Sequence, residues 1–367
     1  MKVALVYDRI NKWGGAERVL LSLHKIFPKA PIFTSVYNRK TALWAEEFDV
    51  KTSFLQKIPN AKTSHEILAP LMPIAFENFG FDDYDLVISV TSEAAKGIIT
   101  KDKTLHICYC LTPTRYLWSG YEDYFKNSLL KNLSKPVVSY LRRWDKIASK
   151  RPDTFVSISR EVKERIKKYY DRDSSLIHPP MTLIKKKTKN KAVFRKDKDF
   201  YLIVSRLVRY KKIDVAIKAF NYLKFPLKIV GIGSEENNLK KIAGPNIEFL
   251  GRLTDDELSF YYKNCKALIF PGIEDFGLVM TEAQSFGKPV IAYKGGGALD
   301  IIKEGITGEF FKEQSAFSLK KVLENVNNKR YNTKLLQLSA KKFSEGNFEK
   351  KLGRLIEKEL IRHFKKL

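Results

Sequence analysis

The chain has 367 residues, with 67 Lys and Arg against 41 Asp and Glu, a formal charge of +26, and 44% apolar and 12% aromatic residues. That length favours two domains, and the apolar content excludes a disordered or fibrous protein. The charge predicts attraction to polyanions such as nucleic acid, an anionic membrane face or phosphate-bearing substrates, while equally describing a Lys-rich solvated surface. Basic residues crowd Lys131 to Arg172, thirteen against five acids, and Lys350 to Lys366. No apolar run is long enough to span a bilayer and the opening run is too short for a signal segment, so the expected address is cytoplasmic. Three cysteines, two as Cys108-x-Cys110, read as buried thiols, not as a zinc site.

In chain order, KVALVYD reads as a buried parallel strand. Gly14-Gly15 and the helical face Val19, Leu20, Leu23 and Phe27 follow, giving strand, glycine turn, helix. Short strands recur at PIFTSVY, YDLVISV, LHICYC and TFVSIS, then a helix over EVKERIKKYY after the capping residue Ser159. Pro179-Pro180 and the polar run KKKTKNK mark a break. A second ladder follows: FYLIVS, helix Asp214 to Tyr222, LKIVGIG, NIEFLG, helix Asp255 to Lys263, ALIFPG, helix Thr281 to Phe286 and PVIAY. Alternation of this kind builds a parallel sheet covered on both faces. The expected domains are 1–185, 194–345, and a C-terminal helix at 346–367 packing back toward the first domain.

Glu274 lies in the loop after the strand ALIFPG and Glu282, with seven residues between them, in the first turns of a helix. Ligands of open α/β sheets bind beyond the carboxyl ends of strands, so both carboxylates are expected at a crevice. Glu282 would accept hydrogen bonds from a ribose diol, Glu274 would hold sugar hydroxyls, and Gly277 would let a diphosphate approach the helix start. Arg206 and Lys211, after FYLIVS, fall at the same edge and would neutralise that diphosphate without a metal. Each of these residues is also readable as ordinary surface charge. GIGSEENNLK has only G-x-G, a weak dinucleotide signal, and Gly295 to Gly297 are open to a close-approach or a plain-loop reading. Tyr109, Tyr116, Trp118 and Tyr121 are candidates to stack on sugars or to fill the core, and His106 reads as a core or edge histidine.

Arg206 with Lys211, FLGRLTDDEL, and above all EDFGLVMTE followed by AQSFGKPVIA resemble the retaining glycosyltransferases of family 4, as do GGAERVL, CYCLTPTRYLW and the IHPP junction, which are similar to a bacterial mannosyltransferase-like branch. The resemblance implies a GT-B fold, two Rossmann-like domains with parallel sheets facing across a cleft. It implies a hexosyltransferase that moves a hexose, mannose favoured, from a nucleotide diphosphate sugar, GDP-mannose favoured, to a glycan or lipid-linked acceptor in cell-surface polysaccharide synthesis. By position it assigns Arg206 and Lys211 to the diphosphate, Glu274 to the donor sugar and Glu282 to the ribose. Asp275, Phe276, Gly277, Leu278 and Val279 line the sugar and phosphate, Gly14 and Gly15 approach the donor, and Arg252 lies in the segment that borders the base. No metal and no nucleic acid are expected, and contact with the anionic inner face of the cell membrane is. One departure is Leu111, where this branch usually has a histidine. The readings from other classes are a nucleotide-sugar epimerase of similar fold and a basic nucleic-acid-binding protein.

Overall fold

The computed structural model describes residues 1–62, 65–124, 128–181 and 199–365. The chain divides into two compact units, Met1–Pro180 with Phe348–Leu367, and Met181–Asn347. The run KKKTKNK lies outside the described residues.

The first unit is built on seven parallel strands: β1 (Val3–Tyr7), β2 (Ile32–Thr34), β3 (Val50–Thr52), β4 (Leu86–Thr91), β5 (Leu105–Cys110), β6 (Thr154–Ser157) and β7 (Ser174–Leu176), ordered β3-β2-β1-β4-β5-β6-β7. The central strands β1, β4 and β5 are buried at every residue, as their continuous apolar runs require of a parallel sheet covered on both faces. Their register sets Leu5 between Ile32 and Ile88. On one face Val6, Phe33 and Val87 pack with Phe76 and Phe81. The last helix, Glu345–Phe364, contributes to this unit: the Phe348 ring meets Tyr109 edge-on at 5.8 Å and Glu359 accepts a hydrogen bond from Thr154.

The second unit has six parallel strands: β8 (Tyr201–Val204), β9 (Leu227–Val230), β10 (Ile247–Gly251), β11 (Leu268–Phe270), β12 (Val290–Tyr293) and β13 (Gly308–Phe311), ordered β10-β9-β8-β11-β12-β13. Ile203, Ile229 and Ile269 form its core with Phe220, Phe311 and Leu319. Helix Asp255–Asn264 opens on a capping box in which Thr254 and Glu257 satisfy each other's backbone donors.

Both sheets share one winding rule. The chain lays three strands outward in one direction, then returns to the first and builds in the other. The strand order therefore reverses between β1 and β4 and again between β8 and β11. Such reversals leave a crevice at the carboxyl ends, where the two flanking loops diverge.

Three strands go unread in the sequence, β3, β7 and β13, and all are edge strands. An edge strand is short and partly solvated, so β3 (VKT) and β7 (SSL) carry no apolar run. Helix Ser128–Ala148 is also unread because Pro136 sits inside it. The helix expected at Thr281 begins earlier, at Leu278, where Gly277 with φ +94° ends the preceding loop.

Candidate active site

The loop after β8 closes with one 3-10 turn, Arg209–Lys211, and Lys212 in the left-handed region starts helix Ile213–Leu223. The loop after β11 packs backbone to backbone on that turn at Gly272, where an added Cβ would lie 2.9 Å from the Lys211 carbonyl oxygen. This contact sets the Lys211 ammonium against the Glu274 carboxylate, an ion pair spanning the strand-order reversal with side chains only 12% and 19% exposed. Tyr210 extends the cluster: its ring lies 5.1 Å from the Lys211 Nζ and its hydroxyl accepts a hydrogen bond of 2.7 Å from Arg206 Nη2. Arg206 itself is exposed. Two cations and one carboxylate thus meet at one rim, leaving a net positive charge suited to an anion.

Backbone contacts hold this rim. Gly297 N donates to the Glu274 carbonyl at 2.8 Å, and a Cβ on Gly296, which has φ +59°, would lie 2.4 Å from the same oxygen. The Gly295 to Gly297 run is therefore a fitted support of the Glu274 loop, not plain slack. On the other side, Gly231 with φ +132° leaves no room for a side chain against the Ser205 carbonyl, so the G-x-G turn braces the loop that carries Arg206.

Glu282 is 3% exposed, and its Oε2 accepts 2.9 Å from the hydroxyl of Tyr262, a buried ring stacked on Phe286 at 5.5 Å. Arg252 is exposed at the end of the outer strand β10. Asp275 is half-buried, Phe276 is buried edge-on to Phe343, and Leu278 and Val279 open the helix. In the other unit, Gly14 caps helix Gly15–Ile26 and Gly15 is exposed. Tyr210 and Tyr262 are the residues the sequence reading missed. Tyr210 is four residues from Arg206 and adjacent to Lys211, a spacing that offers a signal.

The first unit also holds charge at its reversal, in a different form. The buried Asp8 carboxylate accepts from Thr91 Oγ1 at 2.8 Å, Ser92 N at 2.7 Å and Ala95 N at 2.9 Å. Arg9 pairs with Glu93 at 2.5 Å, tying the loop after β1 to the loop after β4. Beneath lies a second pair, Lys96 with Asp145, 2% and 1% exposed. Asp145 also accepts from Thr114, Trp118 Nε1 and the Tyr170 hydroxyl. The aromatics of CYCLTPTRYLW are thereby engaged inside the unit: Trp118 stacks on Tyr169 at 5.1 Å, and buried Tyr109 donates to the Ile177 carbonyl. His106 is a core histidine bonded to Ser89 at 2.8 Å, and burial, with Arg172 and Arg151 adding, holds its pKa down to about 3. Leu111 is half-buried, its amide bonded to the Thr91 carbonyl.

Residues 184–343 match the family model described as glycosyl transferases, group 1. The matched stretch lies within the second unit, and Arg206, Lys211, Glu274 and Glu282 all fall inside it. An uncharacterized glycosyltransferase of Methanocaldococcus jannaschii is 29% identical over 210 residues, 56% of this chain and 58% of that protein. A GDP-mannose-dependent alpha-mannosyltransferase of Corynebacterium glutamicum is 33% identical over 106 residues, covering 29% of this chain and 25% of that one. The match to these relatives thus spans little more than half of their length at most. Among solved structures, Anabaena HepE in complex with UDP and glucose superposes with a TM-score of 0.69 at 18% identity, covering 97% of this chain and 99% of that one. That likeness gives the fold: the two parallel sheets with their helices are those of GT-B glycosyltransferases.

Proposed function

We propose that the protein is a retaining hexosyltransferase that takes mannose from GDP-mannose and delivers it to a glycan or lipid-linked glycan during cell-surface polysaccharide synthesis. The observation that carries this reading is the Lys211–Glu274 pair at the strand-order reversal of the domain that matches group 1 glycosyltransferases. The donor preference draws on the Corynebacterium relative and on the family resemblance.

Breaking the bond between the sugar and the diphosphate builds negative charge on the leaving phosphate. Lys211 and Arg206 stabilise that charge, so the reaction proceeds without a metal. Glu274, held close by Lys211, accepts hydrogen bonds from sugar hydroxyls and orients the ring; it does not attack. By family analogy the acceptor hydroxyl enters on the face the diphosphate leaves, and the departing phosphate takes its proton. Glu282, fixed by Tyr262, receives the ribose diol, and the backbone from Asp275 to Val279 lines the sugar and phosphate.

The expected place of work is the cytoplasmic face of the cell membrane. Among the described residues no helix is long and apolar enough to cross a membrane. Helix Ser128–Ala148, however, exposes Leu133 (68%), Val137 (41%) and Tyr140 (48%) at helical spacing beside Lys131, Lys135, Arg142 and Arg143. An apolar stripe flanked by cations suits an anionic lipid surface.

Release of nucleoside diphosphate from GDP-mannose, UDP-glucose and UDP-galactose, with product analysis, tests the proposal. Transfer with retained anomeric configuration supports it. An altered nucleotide sugar released without an acceptor makes the protein an epimerase instead, and sedimentation indifferent to anionic lipid removes the membrane contact.

A further inference from the structure

Arg206 carries a charge that the proposed reaction needs, yet it is exposed, and a long side chain in water must be ordered before it can hold a phosphate. Tyr210 is placed to order it. Half-buried on the 3-10 turn Arg209–Lys211, its hydroxyl accepts from Arg206 Nη2 at 2.7 Å and its ring lies 5.1 Å from the Lys211 Nζ. One side chain thus touches both cations, Arg206 at its polar tip and Lys211 through its ring. Arg209, exposed on the same turn, has no side-chain hydrogen bond or ion pair among the described residues. Of the two exposed arginines in this loop, the one expected at the diphosphate is the one that is held.

The backbone between the two partners is already set. Leu207 N donates to the Ile232 carbonyl, Val208 N to the Arg206 carbonyl and Lys211 N to the Val208 carbonyl, each at 3.0 Å. Lys212, with φ +54°, ends the turn, and Gly272 packs on the Lys211 backbone. The bond from Arg206 to Tyr210 therefore closes a short, fixed loop, which is how a contact is preorganised. A phenol also suits the charge. A guanidinium has donors only and needs an acceptor to hold it. A carboxylate there would bind it more tightly and cancel its charge, whereas the phenol oxygen accepts and stays neutral. The ring face attracts the ammonium in the same way, through its quadrupole, and leaves the positive charge in place.

We propose that Tyr210 is a positioning residue of the donor site: it orders Arg206 by its hydroxyl and Lys211 by its ring before a nucleoside diphosphate arrives. This deepens the glycosyltransferase reading and rests on it for the identity of the anion. Tyr210 acts through the two cations, so removing its hydroxyl matters only while Arg206 is present.

Calorimetric titration of GDP, UDP and ADP into the full chain tests this with Tyr210→Phe, Tyr210→Ala, Arg206→Ala and the double variant Arg206→Ala/Tyr210→Phe, melting temperatures showing that each folds. Tyr210→Phe keeps the ring and loses the acceptor, and should weaken the diphosphate that binds wild type roughly three- to ten-fold. Tyr210→Ala, which removes the ring as well, should weaken it further, roughly ten- to thirty-fold. In the Arg206→Ala background the Tyr210→Phe change should have no effect, a coupling that a merely structural role would not produce. Undiminished affinity in Tyr210→Phe, or the same loss with and without Arg206, overturns the proposal while the donor reading stands. Equal losses in Tyr210→Ala and Tyr210→Phe overturn the part given to the ring. If wild type binds none of the three nucleotides, the donor reading fails and the role of Tyr210 with it.

Discussion

The two sheets place the same device at the same topological position and surround it differently. In each unit the loop after the first strand supplies a cation and the loop after the fourth supplies a carboxylate: Arg9 with Glu93 across β1 and β4, Lys211 with Glu274 across β8 and β11. Behind Arg9 and Glu93 lie buried polar side chains, Asp8 with three donors and the Lys96–Asp145 pair. Behind Lys211 and Glu274 lies glycine backbone, at Gly231, Gly272, Gly296 and Gly297. A side-chain network fixes its loops through charge that is costly to disturb. A glycine-backed rim fixes them by steric fit and leaves the side chains' charge available to a ligand. The difference separates a rim whose charges chiefly hold structure from one whose charges the proposed reaction would use.

Deleting one member of each network measures that contrast. Asp145→Ala leaves Lys96 charged and buried without its partner, and should destabilise the first unit by about 3–5 kcal/mol in urea unfolding. Glu274→Ala or Lys211→Ala should instead lower turnover roughly 10²–10³-fold with a melting temperature close to wild type. A large loss of stability in Lys211→Ala, or normal turnover in both variants, would erase the distinction.

Acid should act on the first unit through His106. The folded protein holds it neutral, with its pKa lowered from 6.5 to about 3, so between those values the unfolded chain binds the extra proton. The stability due to the neutral ring is complete above pH 6.5 and falls as the pH drops toward 3; at pH 5 the loss is about 2 kcal/mol. Urea titrations at pH 8 and pH 5 should show a correspondingly smaller acid loss in His106→Gln than in wild type. The smallest effect expected is that of Tyr262→Phe, which removes one hydrogen bond to Glu282 and should weaken nucleotide binding by about 1 kcal/mol, read by calorimetry.

What the sequence discloses follows the same physics. β1, β4 and β5 are legible because burial on both faces demands unbroken apolar runs, whereas β3, β7 and β13 are not, since an edge needs no such run. Counting strands and their carboxyl ends puts Arg206, Lys211 and Glu274 on one rim without coordinates. Which side chains pair there depends on a backbone contact at Gly272 that no periodicity encodes. The hold of Tyr262 on Glu282 is hidden for a similar reason, because it is set by how helices Asp255–Asn264 and Leu278–Ser285 are rotated on the sheet. Trp13 and Trp44 are far apart in sequence and become neighbours only when the loops after β1 and β2 are joined.

Calorimetric titration of GDP-mannose and UDP-glucose into wild type, Lys211→Ala and Glu274→Ala tests the central claim most directly. The account predicts that one of the two donors binds wild type and that each substitution weakens it at least ten-fold while the fold is kept. Undiminished donor binding in both variants would contradict it.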